Sequence, residues 1–165
     1  MLRYLITLQA NDKEGLVEDI ANKISHYGGN WLDSEMRSID GVFAAILQIE
    51  FPPQHWPLLL DDLTAIDSLT FTHAQTSKID TNLKRAHFRL VAYDRIGLVQ
   101  DISNKMHALN INIERFSSQY ETASHTGIAL FRADFNVSMK DEQEEELTQS
   151  LYAIGDDVVL DKIEE

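Results

Sequence analysis

The feature that most constrains the fold of this chain is an internal repeat. The segment Asp12-Lys13-Glu14-Gly15-Leu16-Val17 returns as Asp94-Arg95-Ile96-Gly97-Leu98-Val99, and nine of 19 positions are identical when residues 12–30 are aligned with 94–112. Such a repeat indicates one structural unit used twice. Beyond this block the offset grows from 82 to 86, pairing Gly41 with Gly127, which predicts about four extra residues in the loop 122–125.

Both copies predict the same order of elements. Apolar and polar residues alternate over residues 4–10 and again over 88–92, as in a half-buried strand. Apolar residues then recur at helical spacing from Leu16 and from Leu98, and glycine or asparagine suits the end of each helix. The remaining elements are predicted at 31–39, 43–51, 55–66 and 70–76 in copy one, and at 113–120, 129–137, 141–154 and 158–163 in copy two.

This order makes each copy a βαββαβ unit. Crossover connections of one hand place both helices on one face of a four-stranded antiparallel sheet. We therefore expect an α+β protein of two tandem ferredoxin-like modules, residues 1–78 and 84–165, joined by the polar stretch 77–84. The fold supports many unrelated functions, so it does not by itself predict an activity.

The net charge of the chain argues against nucleic acid as a direct binding partner. The net charge is −13, with 5 basic and 12 acidic residues in positions 1–82 and 9 and 15 in positions 83–165. Nucleic-acid affinity depends largely on Lys and Arg that neutralise phosphates, so we expect no direct nucleic-acid binding. The acidic surface equally serves plain solubility. The chain has no cysteine and no apolar stretch of the roughly 20 residues that a membrane span needs, so a cytoplasmic protein is expected.

The repeated motif resembles the ACT domain family, whose pattern is approximately Asp-Arg-Pro-Gly-Leu-Leu, a helix containing Ile, and then Gly-x-Asn-Ile. Copy two departs from this pattern at Ile96 and Asn110, and copy one departs at Glu14 and Trp31. A chain of two such modules, without a catalytic or DNA-binding domain, resembles the glycine cleavage system transcriptional repressor group. That resemblance implies action through a LysR-type transcription activator.

The resemblance also implies an amino-acid site formed between modules around the repeated turns. The N–H groups at a helix N-terminus can receive a carboxylate, and glycine lets a ligand approach the backbone. An asparagine side chain offers both donors and acceptors to an amino acid. The predicted ligand-binding residues are Asn11, Asp12, Gly15, Leu16 and Asn30 in copy one, and Tyr93, Asp94, Ile96, Gly97, Leu98 and Asn112 in copy two.

These residues also have purely structural interpretations. The aspartates suit turns and helix caps, the glycines suit special backbone geometry or close packing, and the asparagines can satisfy local backbone groups. Glu14 adds negative charge where a carboxylate would dock, so copy two is the preferred site. A polar cleft beside Gly97 and Asn112 would favour ligand sensing, whereas a filled one would favour an interaction module without a ligand.

No motif in the sequence predicts catalysis. The six histidines lack the spacing of metal ligands, and Ser117-Ser118 lacks the setting of an activated nucleophile. Paired carboxylates such as Asp156-Asp157 are predicted to be solvated. We therefore expect no cofactor, no metal and no enzyme activity. The expected function is an amino-acid-responsive transcriptional regulator, with glycine or a similar ligand, a protein partner and homodimer formation; the alternative is a constitutive protein–protein interaction module.

Overall fold

The computed structural model describes residues 1–77, 82–123 and 126–164. Its contacts divide the chain into two compact units, Met1–Ile79 and Asp80–Glu165. Half of the predicted linker 77–84, residues 78–81, lies outside the described residues, so the boundaries at residues 78 and 84 remain predictions. None of the helices in the described ranges is long and apolar enough to cross a membrane.

Each unit has the predicted βαββαβ order, which confirms the fold class. The strands and helices occupy nearly the positions that the periodicity predicted. Unit 1 contains β1 Leu2–Asn11, α1 Leu16–His26, β2 Asn30–Ile39, β3 Val42–Phe51, a short 3₁₀ turn at Pro53–His55, α2 Trp56–Thr64 and β4 Thr70–Thr76. Unit 2 contains β5 Lys84–Tyr93, α3 Leu98–Ala108, β6 Asn112–Thr122, β7 Ala129–Met139, α4 Gln143–Tyr152 and β8 Val159–Ile163.

Both units form four-stranded antiparallel sheets with the same topology. The strand orders are β2-β3-β1-β4 and β6-β7-β5-β8, so the first strand of each unit is central. The first edge strand carries a register shift at Trp31/Asp33 in unit 1 and at Ile113/Arg115 in unit 2. These positions differ by the repeat offset of 82, so the irregularity belongs to the duplicated unit.

Strand pairing corrects the alignment beyond the first hairpin. Asn11 pairs with Val42 and Tyr93 pairs with Leu130, which gives an offset of 88 rather than the predicted 86. Gly41 therefore corresponds to Ala129 rather than to Gly127. The extra residues lie between β6 and β7, where residues 124–125 are outside the described part of the chain. The sequence alignment failed here because two glycines in unrelated turn positions were matched.

One face of each sheet packs against both helices. In unit 1 the inward residues of β1 join Leu16, Ile20 and Ile24 of α1 and Leu59 and Leu63 of α2 in one buried cluster. The second helices are shorter than predicted. Among the apolar residues of α2, Leu59 and Leu63 are fully buried, whereas Trp56 and Leu60 are partly buried.

The two cores differ in side-chain size at one corresponding pair of positions. In unit 1, Gly29 precedes β2 and a Cβ built on it would lie 2.4 Å from Cδ2 of Phe51. In unit 2 the corresponding residues are Ile111 and Met139, and both are buried. A bulky ring beside glycine in one unit is thus replaced by a flexible side chain beside isoleucine in the other.

Candidate functional site at the two strand-to-helix turns

The first turn, residues 11–16, and the second turn, residues 93–98, connect the central strand of each unit to its first helix. Gly15 and Gly97 lie immediately before the helices, with φ of +80° and +94°. These left-handed conformations favour glycine over other residues. A Cβ at either position would have nothing within 4 Å. Backbone geometry therefore explains both glycines, and close helix packing does not.

Both helices begin without a side-chain cap from the described residues. The first helical hydrogen bonds are Asp19 N–H to the Gly15 carbonyl at 2.9 Å and Asp101 N–H to the Gly97 carbonyl at 2.8 Å. Amides nearer the start of each helix have no acceptor one turn earlier. Because the helix dipole adds partial positive charge at this end, each turn can receive an anionic group.

The first turn is closed by polar contacts from the end of β2, from the β2–β3 hairpin and from the loop before β4. Ser38 donates its hydroxyl hydrogen to Oδ2 of Asp12 at 2.5 Å, and the Asp12 N–H donates to the Gly41 carbonyl at 2.9 Å. The Asn11 N–H donates to the Ser68 hydroxyl at 3.3 Å. Asp12 is therefore engaged in holding the turn against the β2–β3 hairpin.

The second turn is held by a carboxylate and a guanidinium. The Tyr93 N–H donates to Oδ2 of Asp157 at 2.7 Å. Nη1 of Arg95 lies 3.5 Å from the same oxygen, and Nη2 donates to the Ile154 carbonyl at 3.0 Å. Asp94 N–H donates to the Ala129 carbonyl at 2.9 Å. Arg95 thus ties the turn to the segment between α4 and β8.

Asp157 and Ser68 are structural residues that the sequence reasoning missed. Each accepts the N–H of the last residue of its unit's central strand. Asp157 was expected to be solvated, but its side chain is only 21% exposed and is bonded twice. The chemical difference between serine and aspartate hid the correspondence in the sequence.

The second turn also differs from the first in exposed surface. Ile96 is fully exposed, and Tyr93 and Val99 are about half exposed. The first turn has Glu14 where the second has Ile96. The first turn of α1 contains both Glu18 and Asp19, whereas that of α3 contains only Asp101 as an acidic residue. The second turn is consequently the less repulsive of the two toward an anion.

The predicted site residues do not all come together. Leu16 and Leu98 are each 2% exposed, so their side chains belong to the core and only their backbone faces the turn. Asn30 pairs with Glu50 on β3, while Asn11 pairs with Val42. Their two partners on β3 are eight residues apart, which corresponds to about 26 Å at roughly 3.3 Å per residue.

Unit 2 shows the same separation of asparagine and turn. Asn112 pairs with Ser138, whereas Tyr93 pairs with Leu130 at the other end of β7. Gly97 and Asn112 therefore lie toward opposite ends of the sheet of unit 2 and do not line one cleft within that unit. An 11-residue helix carries the chain from one end of the sheet to the other, which separates the turn from the asparagine that follows the helix.

Two surface hollows lie away from the turns. One of about 260 Å³ lies on unit 1 beside Thr7, Ala44 and Thr72, and one of about 280 Å³ lies on unit 2 beside Arg85 and Lys162. Neither is lined by a predicted site residue. Within residues 1–77, 82–123 and 126–164, no group of three or more His, Asp or Glu side chains is arranged to hold a metal ion.

Comparison with known proteins places these features in a family context. Residues 3–71 match the ACT domain family model. No curated protein sequence gives a significant match. A crystal structure of a protein of unknown function from Galdieria sulphuraria has a TM-score of 0.84 at 17% identity, covering 99% of both chains.

A second crystal structure is of a protein proposed to be a glycine cleavage system transcriptional repressor. It has a TM-score of 0.65 at 19% identity and covers 99% of this chain and 98% of that chain. At these identities the two neighbours establish the fold, and they extend it over both units. Residues 3–71 therefore match the ACT domain family, and the whole chain has a fold of two tandem ferredoxin-like modules that it shares with both neighbouring structures.

Proposed function

We propose that this chain is a non-enzymatic, cytoplasmic regulator of transcription that binds a small amino acid and acts through a protein partner. The ligand is glycine or a close relative, and the partner is a LysR-type activator. The ACT match and the neighbouring repressor structure support the regulatory class. The net charge of −13 favours a protein partner over direct DNA contact.

The observation that carries the proposal is the chemistry of the second turn. The uncapped start of α3 offers backbone N–H groups to a carboxylate. Within the described part of the chain, the Asp94 carboxylate has no hydrogen bond or ion pair and is available for an ammonium group. A zwitterionic amino acid carries both complementary charges. In the first turn, by contrast, Asp12 is already bound by Ser38.

Isothermal titration calorimetry against the twenty amino acids tests ligand binding, with Asp94→Asn and Asp12→Asn as matched variants. We expect binding of a small amino acid that Asp94→Asn weakens by roughly tenfold or more, since a hydrogen bond to a charged group contributes about 1.5–3 kcal/mol. Asp12→Asn should leave affinity nearly unchanged. Absence of heat with every amino acid, or equal effects of the two variants, contradicts the assignment to the second turn.

The partner requires a separate experiment. The purified chain should capture a purified LysR-type activator of glycine cleavage genes, and the amino acid found by calorimetry should change that affinity. A ligand can shift the interaction only if it binds the partner-competent and incompetent states differently. Identical capture with and without ligand would remove the sensing role, and no capture would remove this partner.

A constitutive interaction module is the second candidate, and the Arg95 contacts favour it. Both terminal guanidinium nitrogens of Arg95, Nη1 and Nη2, are engaged within unit 2, so this cation is committed to the fold rather than held open for a carboxylate. The exposed side chain of Ile96 would then serve as an apolar contact for the partner. Partner binding without any amino-acid response, and its loss in Ile96→Asp, would support this function.

A further inference from the structure

The turn between the second helix and the last strand follows the same backbone course in both units. In unit 1 the Leu69 N–H donates to the Ile66 carbonyl at 3.3 Å, and in unit 2 the Val158 N–H donates to the Gly155 carbonyl at 3.2 Å. Each bond closes a turn immediately before the last strand. The two turns lie 89 residues apart, so the units can be compared residue by residue at this place.

Three differences between the units come together around the turn of unit 2. The corresponding residues of units 1 and 2 are Lys13 and Arg95, Ile66 and Gly155, and Ser68 and Asp157. Nη1 of Arg95 lies 3.5 Å from Oδ2 of Asp157, and Nη2 donates to the Ile154 carbonyl at 3.0 Å. The Lys13 side chain forms no hydrogen bond or ion pair with any residue that the structure describes. We call Arg95, Gly155 and Asp157 the brace.

Gly155 leaves room for this contact. It does not adopt positive φ, so its backbone conformation does not require glycine. A Cβ built on it would lie 2.6 Å from Oδ1 of Asp157 and 3.2 Å from Nη2 of Arg95. Carbon atoms pack best at about 3.5–4.0 Å from their neighbours, so an alanine here would push the carboxylate aside. In unit 1 the same position holds the buried side chain of Ile66.

The brace joins the start of one helix to the end of another. Tyr93 and Arg95 belong to the second turn, which precedes α3, and Ile154 lies just beyond the end of α4. The last carbonyls of a helix lack N–H partners and favour a cation, which Arg95 provides. Oδ2 of Asp157 also accepts the Tyr93 N–H at 2.7 Å. Displacement of this carboxylate would therefore remove a partner from two groups of the second turn at once.

We propose that the brace couples the second turn to residues 153–158, so that both open and close together and occupancy of the turn is transmitted to this segment. Local openings of a folded protein involve groups of residues that such contacts hold together. An amino-acid carboxylate bound at the start of α3 favours the closed turn, and through Arg95 it favours an ordered segment. Arg95 is then a positioning residue rather than a ligand contact. The transmission step rests on the proposed function, whereas the coupling joins two parts of unit 2 without any ligand.

Amide hydrogen exchange of the full chain, resolved by NMR, tests the coupling without a ligand. Gly97→Ala strains the second turn, because alanine is disfavoured at φ of +94°. With Arg95 in place, this substitution should speed exchange of the Val158 amide by roughly threefold or more. It should have no such effect in Arg95→Ala, where the contact is lost, or in Gly155→Ala, where it is displaced. Equal acceleration in all three backgrounds overturns the proposal, and so does acceleration in none.

Unit 1 provides the matched control. Gly15→Ala strains the first turn in the same way, and its effect on the Leu69 amide should be the same with Lys13 and with Lys13→Ala. A dependence on Lys13 as large as that on Arg95 would overturn the proposal, because unit 1 lacks the brace. Arg95→Lys separates positioning from plain charge, since one ammonium cannot hold both partners of the guanidinium fork. It should lose most of the coupling, and full coupling in this variant contradicts the role of the brace.

Glycine tests the transmission step. At a concentration that calorimetry shows to be saturating for each protein, glycine should slow exchange of the Val158 amide by roughly threefold or more in the wild type and leave it unchanged in Arg95→Ala. Slowing in both proteins, or in neither, overturns transmission through Arg95. If calorimetry detects no glycine binding, the proposed ligand fails, and the comparison of Gly97→Ala backgrounds alone decides the coupling.

Discussion

Gly29→Ala should destabilise unit 1 through a steric conflict in its core. The added Cβ would lie 2.4 Å and 2.8 Å from two carbons of the Phe51 ring and 2.9 Å from Cγ2 of Ile24. Carbon atoms pack best at about 3.5–4.0 Å, so the ring must move by about 1 Å. Phe51 is fully buried and has Tyr27 and Trp56 at ring-centroid distances of 6.4 and 5.6 Å, which leaves little room for this movement.

Overpacking of this kind costs about 1–3 kcal/mol, a large share of the roughly 5–15 kcal/mol that stabilises a typical domain. The corresponding pair in unit 2 indicates how the cost can be relieved. There the flexible Met139 replaces the ring and Ile111 fills the position of Gly29. Phe51→Met should therefore make Gly29→Ala less costly, with a favourable coupling of about 1 kcal/mol or more in a double-mutant cycle.

Urea unfolding followed by tryptophan fluorescence measures this effect selectively. Both tryptophans of the chain, Trp31 and Trp56, lie in unit 1, so the signal reports on that unit alone. For an m-value of about 2 kcal/mol/M, the expected loss lowers the midpoint by about 0.5–1.5 M. A Gly29→Ala midpoint equal to wild type, or strictly additive costs in the cycle, would refute the packing argument.

Three further predictions concern the contacts of the two turns and one ion-paired carboxylate of α4. Asp157→Ala should lower the free energy of unfolding by about 1–3 kcal/mol, because it leaves a backbone N–H without its acceptor. Ser68→Ala in unit 1 should lower it less, because the lost acceptor is neutral. Urea unfolding followed by far-UV circular dichroism measures both changes. Gly97→Asn should destabilise less than Gly97→Ala in the same assay, because asparagine tolerates positive φ better. Ion pairs with lysines, first of all Lys162, hold the pKa of Glu144 below its usual value. A carboxyl group whose pKa is lower in the folded state stabilises the fold at pH values above its unfolded pKa. That contribution is lost as the pH falls through the folded pKa. Glu144→Gln should therefore make the free energy of unfolding less dependent on pH in the acid range, by at most about 1 kcal/mol.

The order of elements was predictable because it depends on local patterns. Alternation in β1 and helical spacing after Gly15 and Gly97 are properties of neighbouring residues, and the repeat supplied an internal check. The helix ends were also local, since Gly28 and Asn110 both adopt positive φ.

The site was less predictable because it depends on contacts between distant segments. Ser68 and Asp157 reach the turns from 57 and 64 residues away in sequence. Arg95 is part of the repeated turn motif, yet its partners lie in a loop whose position only the folded chain defines. The separation of Asn30 from the turn follows from the length of α1 and could have been predicted by counting its residues at about 1.5 Å each.

The difference in side-chain size between the Gly29–Phe51 pair and the Ile111–Met139 pair also bears on how a duplicated chain avoids misassembly. Tandem copies of one fold can trade equivalent strands during folding, because each strand recognises similar neighbours. If the segment containing Ile111 entered unit 1, a whole isoleucine side chain would meet Phe51 where even a Cβ is too close. The reverse exchange would leave a void beside Met139. Divergence at this pair thus gives each half of the chain a means of rejecting the strands of the other.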